Sequence, residues 1–264
     1  MSCLCPRALV GVALLPVFLL SASACDFESD VAPRVSLPVI VDSEGMVEFV
    51  TNEGYTITLS RMRVAFENVE FTTSGEMHAA LWRPLVDLLV PTAYAHPGHV
   101  AGGQVIGEMD GRFVIDWLAE GRQIGTATLL ESQYDGANFV FTRARAGDGI
   151  EEGDPLIGHT FEIAGEARKD GQAWTFSGFI DEDDGRRVVG LPFDLDVDGG
   201  TETELGLQML PVDPYEKDTA LDNLDFATLD EDEDGHVEFV AGQTAYFALR
   251  KQLQVHDIYF VTTE

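Results

Sequence analysis

Positive charge is scarce in this chain. Only 16 of its 264 residues are Lys or Arg, against 46 Asp or Glu, and the formal net charge at pH 7 is -30. Such a surface repels phosphate backbones, which excludes nucleic acid as a partner and favours loading with cations. Cysteine is almost missing as well. Cys3, Cys5 and Cys25 are the only three, all within the first 25 residues, so the remainder can form no internal disulfide and offers no thiol nucleophile. Catalytic signatures are lacking too: the chain has no Gly-x-Ser-x-Gly elbow, no His-Glu-x-x-His helix and no Gly-rich phosphate loop. Acidic residues are too numerous to single out one general acid-base pair. The chain therefore reads as non-catalytic.

The one long apolar run, Ala8 to Leu20, is too short for a comfortable membrane span. With Arg7 before it and the small residues Ala22-Ser23-Ala24 ahead of Cys25, it has the form of a secretory signal. The ending resembles a bacterial lipobox, in which the cysteine is lipidated and becomes the first mature residue. Ala22 stands where a lipobox usually has Leu. The alternative is plain cleavage after Ala24, leaving a free thiol. The expected organisation is a signal peptide over 1–25, a tether over 26–34 and a single β-domain over 35–264. Lipidation at Cys25 implies attachment to a membrane of the bacterial cell envelope, with the protein facing the periplasm or the cell surface.

From Val35 onward, short runs rich in β-branched and aromatic residues alternate with Gly-, Asn- and Asp-containing turns. Met62 to Thr72 alternates in polarity but slips phase near Asn68, which predicts a bulge or bend there. Four Asp-Gly steps, at 110–111, 135–136, 170–171 and 198–199, each separate two apolar runs. Asp-Gly is the strongest short-range hairpin signal, because both residues tolerate the positive φ of a type I′ turn. Repeated hairpins predict an all-β fold, an antiparallel sandwich or barrel. Two helices are expected to interrupt it. One is an excursion over about 78–90, with Leu81, Leu85, Leu88 and Leu89 on one stripe. The other is a C-terminal helix over about 241–255, with Ala245, Leu249 and Leu253 on one stripe. Trp117 and Trp174 fall in alternating strands and are expected to pack.

The excursion and the loop after it hold three of the six histidines: His78, His96 and His99. His96-Pro97-Gly98-His99 can turn both rings to one side, and imidazole is the commonest side-chain ligand of copper, zinc and nickel. These three residues form the candidate copper or zinc site, with His256 as a further donor. The alternative is that they are solvated loop histidines. Asp230-x-Asp232-x-Asp234-Gly235 resembles the start of an EF-hand calcium loop, with Val237 at the apolar position and Glu238 where a ligand often acts through water. Alternate oxygens in such a loop converge on one hard cation, and Gly permits the sharp turn. Ala241 stands where the bidentate Glu would be. Asp194-Asp196-Asp198-Gly199 has the same spacing but continues a strand, so a charged strand face is the better reading there. The bland alternative for both is a solvated acidic turn.

The segments LSRMRVAFENVEF, AHPGHVAGGQVIGEM and DVDGGTETELGLQMLPVDP, together with the leader, resemble an uncharacterised group of secreted bacterial lipoproteins. A more distant similarity is to methanobactin-associated periplasmic copper-binding proteins. That resemblance implies a β-rich fold and copper held near histidines and a tryptophan, the parts falling here to His78, Trp82, and His96 or His99. Two readings follow: a lipid-anchored envelope protein binding copper or zinc through loop histidines, with a separate calcium-binding acidic loop; or a structural or interaction lipoprotein with no metal site, whose protein partner the sequence leaves unknown.

Overall fold

The computed structural model describes residues 33–73 and 103–263. The leader, Cys25, most of the tether and the excursion with His78, His96 and His99 lie outside the described residues. Strands dominate: β1 (Arg34–Asp42), β2 (Phe49–Val50), β3 (Thr56–Thr73), β4 (Gln104–Asp116), β5 (Gln123–Leu130), β6 (Ser132–Phe141), β7 (Phe161–Lys169), β8 (Gln172–Ile180), β9 (Arg187–Val197), β10 (Leu205–Met209), β11 (His236–Phe239) and β12 (Tyr259–Thr263). The helices are a single turn, α1 (Phe226–Leu229), and α2 (Thr244–Leu253). α2 buries Ala245, Leu249 and Leu253, the expected stripe, together with Tyr246. None of the described helices is long and apolar enough to cross a membrane.

The strands form one mixed sheet in the order β11-β8-β7-β3-β4-β5-β1-β10-β12, with β2 and β6 also on β3 and β9 on β6. The all-β class holds. The sheet is not closed into a barrel: β9 and β12 lie beside one another without a ladder between them. Two pairs, β1 with β10 and β11 with β8, are parallel, so the hairpin meander is only part of the design.

β3 is the hub. Its first half pairs β7 and its second half pairs β6 along one edge, while β2 and β4 take the other. Met62 to Phe66 are buried on both faces. Met62, Val64 and Phe66 enter the main core, whereas Ala65 joins Val114, Ala144 and Leu156 in a small outer cluster. The residues between β6 and β7 cover that outer face as a strap. The phase slip at Asn68 is a bulge. Asn68 has φ 53°, and two β4 residues, Asp110 and Gly111, oppose it.

That bulge corrects one hairpin expectation. Asp110-Gly111 does not turn the chain; it sits inside β4, where Gly111 takes φ 123°. Asp135-Gly136 lies inside β6, with Phe193 and Asp194 of β9 opposing Asp135. The turn at 198–200 leads from β9 to β10, which do not pair with each other. Only Asp170-Gly171 makes the expected two-residue hairpin, with φ of 52° and 81° between Lys169 and its partner Gln172. In the other three cases the positive-φ or kink tendency of Asp-Gly is used, but the long-range pairing partner differs.

Trp117 and Trp174 pack as expected, both buried in the main core. Tyr259, Phe139, Phe141 and Phe161 meet there with ring centroids 5.0 to 6.1 Å apart, geometry that adds to simple area burial.

Candidate metal centre

The acidic loop at Asp230 hangs between two anchored elements. Upstream, Phe226 of α1 is fully buried against Tyr55 and Phe176. Asp225, just before it, accepts a hydrogen bond from the Tyr55 hydroxyl. That bond, and the one from Thr228, hold the Asp225 carboxyl below the ordinary Asp value, while burial and Asp225 together push the Tyr55 phenol up. Downstream, β11 runs parallel to β8 and buries Val237 and Phe239. The loop is therefore fixed at both ends and short between them.

Within it, Asp230 accepts the backbone N–H groups of Asp234 and Gly235, each at 3.1 Å, and Asp234 accepts that of His236 at 2.8 Å. Gly235 takes φ 79° and Glu233 φ 57°, so the chain coils tightly. The result brings carboxyl oxygens of Asp230, Asp232 and Asp234 within 4.8 Å of one another. In water two such charges repel by about 0.9 kcal/mol at that distance. A hard divalent cation reverses the sign of all three interactions. Asp230 is half-buried, and the other two are exposed.

Glu238 lines the same open groove, of about 670 Å³, but is not one of the three converging carboxylates. The reason is local. β11 stays extended through Phe239, so Glu238 falls on the exposed side of the strand. A turn closed by Val240 and Gln243 follows, and α2 starts only at Thr244. That turn occupies the stretch where an EF-hand would supply its bidentate Glu, and Ala241 stands there. No Lys or Arg is among the groove's lining residues.

His236 was not singled out by sequence. Both its ring nitrogens meet hydroxyls of β8, Thr175 Oγ1 at 2.9 Å and Ser177 Oγ at 3.2 Å. It fastens the loop's downstream end instead of offering a free ligand nitrogen. Its position directly after the Asp-rich loop gave no signal of this, because the partners lie about 60 residues away.

Asp194 and Asp196 lie on β9, and Asp198 caps the following turn by accepting Gly200 N–H at 2.9 Å. Among the described residues they join no metal-competent group. His256 opens a 3-10 turn at His256–Ile258. For His78, His96 and His99 the structure supplies only the frame. The flanking residues Thr73 and Gln104 pair directly across β3 and β4, so the excursion leaves and re-enters the sheet at one point of its rim. Comparison of the chain with protein-family models, with curated proteins and with solved structures returns no match.

Proposed function

We propose that this chain is an exported, lipid-anchored β-domain of the bacterial envelope that binds calcium at the 230–235 loop. The single observation supporting the calcium reading is the convergence of Asp230, Asp232 and Asp234 in a loop pinned at both ends. Three carboxylates form an all-oxygen set suited to a hard cation and not to copper. Without a bidentate Glu, the affinity belongs with that of extracellular modules, about 10⁻⁴ to 10⁻³ M. The address rests on the apolar leader and Cys25.

Calorimetric titration of the full mature chain with calcium tests this. Asp232→Asn is the informative variant, because Asp232 is exposed and, among the described residues, the loop's backbone N–H groups bond to Asp230 and Asp234 instead. Saturable binding lost in that variant supports the reading; no heat at millimolar calcium refutes it.

A second reading, copper or zinc at His78, His96 and His99, is favoured by one observation. Three of the six histidines fall within a segment whose two ends are directly paired. Elemental analysis of untagged protein, with a His96→Ala, His99→Ala double variant, tests it. Stoichiometric metal lost in the double variant supports the site. Metal-free protein that takes up neither ion leaves a structural or interaction lipoprotein.

A further inference from the structure

β11 ends the sheet. One of its edges pairs with β8, and among the described residues no strand pairs the other. The Thr175 N–H donates to the Gly235 carbonyl at 2.9 Å, with His236 in register with Thr175. Residues that bond the neighbouring strand alternate along a parallel ladder. Gly235, Val237 and Phe239 therefore turn their backbone groups to β8, and His236 and Glu238 turn theirs away. The His236 N–H on that outer side is taken by Asp234, and the Val240 N–H by the Gln243 side chain. Between these two closed ends, the Glu238 N–H and the carbonyls of His236 and Glu238 have no partner among the described residues.

The acidic groove of about 670 Å³ runs along this strand, from the Asp-rich loop to the start of α2. Glu231, Asp232, Asp234 and Glu238 line it, and no Lys or Arg does. An unpaired strand edge is a template for one more strand, and the charges beside it decide which strand fits. A second copy of this chain would set one acidic β11 against another, and like charges directly opposite are destabilising. The chain's own excursion leaves from Thr73, at the opposite end of β3 from Thr58, whose row reaches β11 through Glu166 and Thr175.

We propose that this groove takes an extended, basic segment of a partner protein as an added strand on β11. The backbone of the segment bonds the Glu238 N–H and C=O and the His236 C=O. Alternate residues of an extended chain share one face, so a Lys or Arg opposite Glu238 places the next cation but one along the same wall, toward the Asp-rich loop. The backbone bonds supply the docking, and the carboxylates select basic strands over neutral or acidic ones.

The probe is a hexapeptide, Thr-Lys-Val-Lys-Val-Lys, blocked at both ends and fluorescently labelled. It is titrated into the full chain with calcium chelated, so the outcome is independent of the calcium reading. Fluorescence anisotropy reads binding, and amide hydrogen exchange by NMR reads its place. Binding should be saturable, with the Glu238 amide gaining protection. Glutamates in place of the lysines should abolish it, and Glu238→Gln should weaken it about two- to fivefold. N-methylation of the peptide's amides, which keeps its charge and removes its donors, should weaken it about tenfold. Absence of saturable binding overturns the proposal. So does binding that leaves the Glu238 amide unprotected or that the N-methylated peptide matches, because general attraction to an acidic surface then accounts for it. A peptide-free dimer that protects the same amide overturns it in favour of a second copy of the chain.

Discussion

Replacing Arg63 by Ala should unfasten the strap between β6 and β7. Arg63 sits in the middle of β3 and is 8% exposed. Its Nη1 and Nη2 grip the two oxygens of Asp154 at 2.8 Å each, and its Nε donates to Glu162. The fork matches a carboxylate in a way that an ammonium cannot. Deleting it takes the main cation from two carboxylates whose side chains are only 17% and 15% exposed, leaving Glu162 the half-exposed Arg61 at 3.9 Å and Asp154 the Leu156 N–H at 2.8 Å. Removing one member of a buried pair costs about 3–5 kcal/mol; the residual exposure of both acids places the expected loss near the lower end, about 3 kcal/mol. Urea unfolding measures the loss, and limited proteolysis between Gly147 and Gly153 reports release of the strap. Arg63→Lys should fall in between.

Acid supplies a second signature. The Arg63 guanidinium holds the Asp154 carboxyl below its ordinary value of 3.8. A depressed folded-state pKa contributes stability that is full above 3.8 and is lost as the pH falls through the lower folded value. The wild type should therefore lose stability on that acid limb, and Arg63→Ala should lack the step. An Ala variant within about 1 kcal/mol of wild type, with unchanged proteolysis, would refute the reasoning. The small cluster of Ala65, Val114, Ala144 and Leu156 would then suffice to hold the strap.

Three further outcomes are expected. Tyr134→Phe removes the phenol that accepts Leu130 N–H at 2.9 Å at the end of the two-rung β4–β5 ladder; leaving that amide unpaired should cost about 1–3 kcal/mol in thermal unfolding. At Gly165 a Cβ would lie 2.5 Å from the Thr58 carbonyl oxygen and 2.6 Å from the Phe176 ring, so Gly165→Ala should lower stability by about 1–3 kcal/mol, read by urea midpoint. Calcium at a hundred times its dissociation constant should stabilise the wild type by about 2.7 kcal/mol, measured as a rise in Tm reversed by chelator, with no rise in Asp232→Asn.

Local rules carried the sequence a definite distance. The stripe of Ala245, Leu249 and Leu253 has helical spacing whatever surrounds it, and α2 forms there. The slip at Asn68 marked a bulge, because a phase change in a two-residue repeat has few other physical causes. Asp170-Gly171 turns as expected, its two strands being adjacent in sequence. The same dipeptide at 110–111 and 135–136 served as a kink within a strand. Nothing local separates a kink from a turn when the deciding partner is distant, as β3 is for Gly111 and β9 for Asp135. The Asp230 loop was legible through its spacing. The place of Glu238 outside the carboxylate group was not, since it depends on how far β11 extends along β8.

Residue types and near-neighbour spacing thus determined the strand-rich class, the acidic composition, the helix stripe and the Asp-x-Asp-x-Asp-Gly loop. The tertiary structure alone decided the parallel pairing of β1 with β10, the double-sided burial of β3, and the burial of Arg63 and Glu182. On the sequence, these two charged residues look like ordinary surface. Burial is a property of what folds over a position, and for both residues the covering and paired groups come from about 70 to 100 positions away.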